Sequence, residues 1–126
     1  MSQLSDYAEN ALINAMLRNT AYTSPATVYL ALFTTATSDA ATGTEVTGGS
    51  YARQAITFGA PSNGVAANTV AVTFTSMPAA TVTHAAIMNA STSGNMLFHG
   101  ALAASKTVGA GDSLTFAIGG LTATLA

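Results

Sequence analysis

The apolar positions change period once along the chain, and that change predicts the architecture. In the first segment Leu4, Tyr7, Ala8, Ala11, Leu12, Ala15 and Met16 recur at three- and four-residue spacing and so share one face of a helix. Ser2 or Ser5 suits its N-cap, Asp6 and Glu9 fall in the first turns, Arg18 falls in the last, and Asn19 suits a left-handed exit. The expected helix spans 3–19. After Tyr22-Thr23-Ser24-Pro25 the pattern turns to β-branched and aromatic residues. Residues 27–34 put Val28, Leu30 and Leu32 on one face and Tyr29 and Phe33 on the other, which reads as a central strand covered on both sides. Residues 51–58 alternate, and 68–75 place Val70, Val72 and Phe74 together. The runs 81–89, 95–102, 113–118 and 121–125 read as further strands, separated by glycine-rich turns. One helix followed by about seven short strands, with no helices between them for parallel crossovers, predicts a mainly β fold. The expected architecture is an antiparallel β-sandwich or jelly-roll-like domain with one N-terminal α-helix, a partly closed barrel being the alternative. A single domain over 1–126 is expected, with the helix at 3–19 and the β-domain at 27–126.

Composition narrows what such a domain can do. Of 126 residues, 49% are hydrophobic but only 6% are charged, about a quarter of the share usual in soluble proteins. Three Lys and Arg against five Asp and Glu give a formal charge of −2, so no basic patch is available for a run of phosphates, and nucleic acid is not an expected partner. Mean hydropathy is +0.41, and no charged residue lies between Arg53 and Lys106. That stretch is nevertheless rich in Thr, Ser, Asn and Gly and holds no apolar run long enough for a spanning helix, so no membrane association is expected. With no Trp, four Tyr and five Phe, the aromatic girdles of a membrane barrel are missing as well. The N-terminus carries Asp6 and Glu9 where a secretory leader carries basic residues, so synthesis in the cytoplasm without export is expected.

The search for chemistry yields little. His84 and His99 fall in expected strands, but no carboxylate stands at metal-ligand spacing from either, which favours hydrogen-bonded structural histidines over a metal site. No G-x-S-x-G elbow accompanies the many serines. The Gly48-Gly49, Gly109-Ala110-Gly111 and Gly119-Gly120 segments lack the Lys-Ser/Thr ending and following helix of a phosphate loop, and they read as tight turns. No catalytic, cofactor-binding or metal-binding residue is therefore assigned, and no cofactor is expected. Glu45 with Arg53, and Lys106 with Asp112, are spaced to meet beside turns, each pair contributing about 0–1 kcal/mol if exposed. Arg53 is the foremost docking candidate, the alternative being that it braces the Gly48-Gly49 turn. Met16, Met77, Met88 and Met96 read as core filler. Short neutral side chains are cheap to bury against a neighbour, which points to a component of an assembly.

Thr20-Ala21-Tyr22-Thr23, Pro25-Ala26-Thr27, Leu32-Phe33-Thr34-Thr35, Gly43-Thr44-Glu45-Val46, Gly48-Gly49 and Tyr51-Ala52-Arg53 together carry a resemblance. It continues through Thr83-His84-Ala85-Ala86-Ile87, Gly94-Asn95-Met96-Leu97, Gly100-Ala101-Leu102, Lys106-Thr107-Val108 and Ala110-Gly111-Asp112. The chain resembles a family of small tailed-bacteriophage virion proteins, often labelled tail fibre protein and in some phages treated as capsid decoration or cement. Ala85 and His99 stand where relatives carry other residue types, which bears on packing and not on class. The resemblance implies a non-enzymatic structural protein of the virion, made in the host cytoplasm, without transferring any catalytic residue. Because a fibre needs an elongated shaft and this chain reads as one short domain, the expectation is a capsid decoration protein at the head surface. It would bind the major capsid protein and itself as a homotrimer. A tail location is the alternative, and a glycan-binding module ranks below both. Glu45, Tyr51 and Arg53 are the candidate interaction residues.

Overall fold

The computed structural model describes residues 1–125 of the chain. In chain order the elements are β1 (Gln3–Leu4), α1 (Asp6–Leu17), β2 (Val28–Phe33), β3 (Gln54–Ile56), β4 (Val65–Ala67), β5 (Val72–Phe74), β6 (Ala80–Met88), β7 (Met96–Val108), β8 (Leu114–Phe116) and β9 (Thr122–Thr124). The fold is mainly β and antiparallel with one N-terminal helix, as the periodicity predicts.

The helix is shorter than the expected 3–19. Gln3 and Leu4 instead pair with His99 and Phe98 on the edge of β7. Ser5 has extended backbone angles and caps the helix, its hydroxyl accepting from the Ala8 N–H at 3.1 Å and donating to the Met96 carbonyl. Arg18 is the C-cap and not a last-turn residue, and Asn19 exits with φ of 53° as expected. Only Ala8 of the helix is buried. Met16, expected as core filler, is 78% exposed, whereas Met77, Met88 and Met96 are buried. Ala11 and Leu12, midway along the helix, are half-buried on the side that faces β7, while Ile13 and Leu17 lie on the side turned away from it.

Five strands form the main sheet in the order β1-β7-β6-β2-β3. β2 lies between β3 and β6, and both its faces are covered. Leu30 and Leu32 join Val82, Ala85, Ile87, Phe74 and Phe116 in the principal core, while Ala31 and Phe33 join Ala86, Met88 and Met96 on the other side. Two short ladders, β4-β9 and β5-β8, make the second layer. Phe74 holds the layers together, stacked on Tyr51 at 5.8 Å and edge-on to Phe116 at 6.2 Å.

The single strand expected at 68–75 is broken. Asn68 is buried, and its side chain donates to the carbonyls of Val70 and Ala117 at 3.0 Å each while accepting from the Leu121 N–H at 3.0 Å. These bonds bend the chain between β4 and β5, so Val70 turns outward at 59% exposure instead of facing inward with Val72 and Phe74. The strand expected at 51–58 is regular only over β3. It continues as bridges, with the Thr69 N–H donating to the Thr57 carbonyl and the Gly59 N–H to the Ala67 carbonyl, both at 2.9 Å. One side of the sandwich is closed in this way. On the opposite side the Met1 ammonium donates to the Thr122 carbonyl at 2.6 Å, and the Thr124 N–H donates to the Met1 carbonyl at 2.9 Å.

Candidate interaction surface

Glu45, Tyr51 and Arg53 meet in space. Glu45 bridges to Phe33 at the end of β2, and Arg53 immediately precedes β3, the other neighbour of β2, so the strand pairing brings the two side chains together. The guanidinium grips the carboxylate with two bonds of 2.9 Å, and the Tyr51 hydroxyl donates to the same carboxylate at 2.7 Å. That hydroxyl also accepts the Leu32 N–H at 3.0 Å. Burial pushes the Glu45 carboxyl up, but the bonds from Arg53 and Tyr51 outweigh it and hold it below its ordinary value. Burial, reinforced by the facing carboxylate, drives the Tyr51 phenol far above its ordinary range.

Arg53 also donates to the carbonyls of Ala90 at 3.0 Å and Ser93 at 2.8 Å, in the loop between β6 and β7. Its side chain is 9% exposed and its fork is engaged inside the molecule. The geometry therefore gives Arg53 a bracing position, though the braced segment is the 90–93 loop and not the Gly48-Gly49 turn. That turn is held by backbone bonds, Ser50 N–H to Ser76 and Tyr51 N–H to Gly48, with Gly48 and Gly49 both at positive φ. The expected Lys106–Asp112 pair does not form. Asp112 instead accepts the Gly109 N–H at 2.7 Å and closes its own turn.

His99 is buried on β7. Its Nε2 contacts Asp39 at 2.7 Å and its Nδ1 contacts Thr37 at 2.8 Å, so it pins the 34–44 loop to the sheet. His84 pairs through Nδ1 with the neighbouring Thr83 hydroxyl at 2.8 Å. Neither Asp39 nor Thr37 stood out in the sequence, because nothing at sixty residues' separation signals contact with a histidine. Asn68 was likewise invisible as a linchpin, since a strand-like run gives no sign that one of its polar members turns inward.

The surface that stands open lies elsewhere. Ile13, Met16 and Leu17 on the later turns of α1 are 54%, 78% and 80% exposed. On the sheet-facing side of the helix an apolar groove of about 150 Å³ runs between α1 and β7, lined by Leu4, Ala8, Leu12, Tyr22, Phe98 and Leu125. Phe98 and Leu125 also line a neighbouring apolar groove of about 270 Å³.

Residues 3–124 match a family described as podophage GP4 fiber I protein gp80. The chain belongs to this family. Membership makes it a tailed-phage virion structural protein, of a family whose description is that of a fibre component. No curated protein matches it. The match spans both the helix and every strand, so α1 and the 90–93 loop lie within the matched residues.

Proposed function

We propose that the protein is a non-enzymatic globular module of a phage fibre, joined to neighbouring virion proteins through neutral and apolar surface, with the later turns of α1 as its principal contact. The observation that carries this reading is the exposure of Ile13, Met16 and Leu17 on the one helix of a chain that has almost no charge to keep it apart from other molecules. Arg53 acts indirectly, by holding the 90–93 loop in place. The fibre location is favoured by the family description.

A second reading is head decoration, with the major capsid protein as partner and a homotrimer as the unit. The layered body favours it, since the described residues include no elongated shaft. Quantitative mass spectrometry and cryo-EM of purified virions separate the two. A fibre module is expected at a small fraction of the major capsid protein's copy number and localised to the tail or neck. A copy number approaching that of the capsid protein, with density on the head, would replace the first reading by the second. Absence from purified virions would defeat both.

A further inference from the structure

Seven asparagines occur in the chain, and Asn63 is the one followed by glycine. Asn63 and Gly64 form the two-residue tip of a hairpin whose arms are tied by bridges from Phe58 to Asn68 and from Ser62 to Val65. The Ser62 N–H donates to the Val65 carbonyl at 2.9 Å, and the Val65 N–H donates back to the Ser62 carbonyl at 3.0 Å. Both tip residues have positive φ, 52° and 77°, the type I′ geometry that Asn-Gly favours. Glycine is required at position 64 for a second reason. Its carbonyl accepts the Leu125 N–H at 2.7 Å, and the two backbones lie so close that a Cβ on Gly64 would run into the Leu125 carbonyl.

The same two residues are a reactive pair. An asparagine carboxamide can close a five-membered ring onto the backbone nitrogen of the next residue, and a side chain on that residue shields the nitrogen. Glycine has none. Asn63 and Gly64 are both exposed, and among the described residues the Gly64 N–H has no hydrogen-bond acceptor. Ring closure takes the Asn63 backbone out of the left-handed region, so it proceeds from molecules in which the tip has opened. That opening is local, because the tip stands at the end of β4, whose ladder with β9 is a two-stranded sheet of three residue pairs.

We infer that Asn63 with Gly64 is a self-modification site, at which the chain converts its own asparagine to an aspartyl or isoaspartyl residue through a cyclic imide. The Gly64 nitrogen gives its proton to hydroxide and attacks Cγ of Asn63. The N–Cγ bond forms, the Cγ–Nδ2 bond breaks, and Nδ2 takes a proton from water and leaves as ammonia. Water then adds to one imide carbonyl and opens the ring, with no change in oxidation state. Opening at Cγ restores the ordinary backbone, and opening at the main-chain carbonyl routes the backbone through the side chain. Either product adds one negative charge to a chain whose formal charge is −2. The isoaspartyl product also lengthens the backbone by one methylene where the bonds to Val65 and Leu125 fix the register. It therefore loosens the pairing of β4 with β9, and with it the Gly64 and Leu125 wall of the groove of about 270 Å³. This chemistry is independent of the docking role of α1.

The test incubates the full chain at mildly alkaline pH and follows each asparagine by peptide mass spectrometry, with isoaspartyl and aspartyl products separated by chromatography. Expected is conversion at Asn63 at least about tenfold faster than at any other asparagine, rising with pH and with sub-denaturing urea that opens the tip. The isoaspartyl fraction should exchange its Leu125 amide hydrogen at least about tenfold faster than the unmodified protein and than Asn63→Asp, which carries the charge without the added methylene. Asn63→Gly, which suits the positive φ and removes the carboxamide, should abolish the new charge variant while the protein stays folded. Conversion at Asn63 no faster than at the other asparagines, or a charge variant that persists in Asn63→Gly, would overturn the site. A rate indifferent to urea would overturn the gating by tip opening. Equal Leu125 exchange in the isoaspartyl and Asn63→Asp forms would overturn the loosening of β4 from β9.

Discussion

Strand β2 and helix α1 are both laid down by apolar periodicity, yet they bury it to opposite extents. Leu30, Ala31, Leu32 and Phe33 are sealed between two clusters, whereas the apolar face of α1 buries only Ala8, half-buries Ala11 and Leu12 and leaves Tyr7 and Met16 in the open, with Ile13 and Leu17 exposed outside that face. The difference is one of neighbours. β2 has a strand on each side and a packed layer on each face, while α1 lies against β7 along one side only, with Ala8, Ala11 and Leu12 turned toward it. Apolar periodicity therefore marks where burial is possible, and the tertiary arrangement decides whether it is completed within the chain or left for a partner.

Truncation in the core should have the largest effect. Phe74→Ala removes the ring clamped between Tyr51 and Phe116 and should cost about 3–5 kcal/mol by denaturant unfolding, enough to leave a marginal domain largely unfolded. A loss below that of a surface change would mean that the layers are not held together there. Next comes Asn68→Ala, which strands the buried Leu121 N–H and removes the side-chain bonds to Val70 and Ala117, and should cost about 1–3 kcal/mol. Asn68→Asp, which can still accept from Leu121, should restore only part of it.

Glu45→Gln weakens the Arg53 grip and should cost about 1–2 kcal/mol at neutral pH, discounted because the pair is partly solvated. It also tests the titration. Because the folded carboxyl titrates below its ordinary value of 4.5, its contribution is complete above that value and is lost as pH falls through the folded value. The native protein should therefore lose stability more steeply than the Glu45→Gln variant over the pH window that opens near 4.5 and runs down through the lowered folded value. Parallel unfolding curves for the two across that window would remove the role given to Glu45. Ser5→Ala should cost about 1 kcal/mol, as a lost helix cap, with a drop in helical circular dichroism. Last, Met16→Ser with Leu17→Ser should change the stability of the free protein by no more than about 0.5 kcal/mol. Its effect is expected in virion incorporation, and unchanged incorporation would break the contrast between the helix and the strand.

The elements themselves were legible. Val28 to Phe33 needed only its alternation and its lack of charge, the exit of the helix was visible in Asn19, and the cap was narrowed to Ser2 or Ser5, between which the structure selects Ser5. The strand containing Val70 was misjudged because periodicity counts side chains and cannot see that Asn68 satisfies three backbone groups across the fold. Met16 was misjudged because its place in the helical stripe says which way it points, not whether anything lies there. Glu45 and Arg53 were singled out because charges are so scarce. Their partners at Ala90 and Ser93 are backbone carbonyls, which leave no trace in residue identity.

By itself, then, the sequence determined a β-rich, nearly uncharged domain with one capped helix, since these follow from local propensity, pattern and composition. Only the tertiary structure decided which apolar side chains stay exposed and that Arg53 turns inward. Each of these depends on contacts between segments far apart in the chain, and no local pattern encodes the spacing between two sheets.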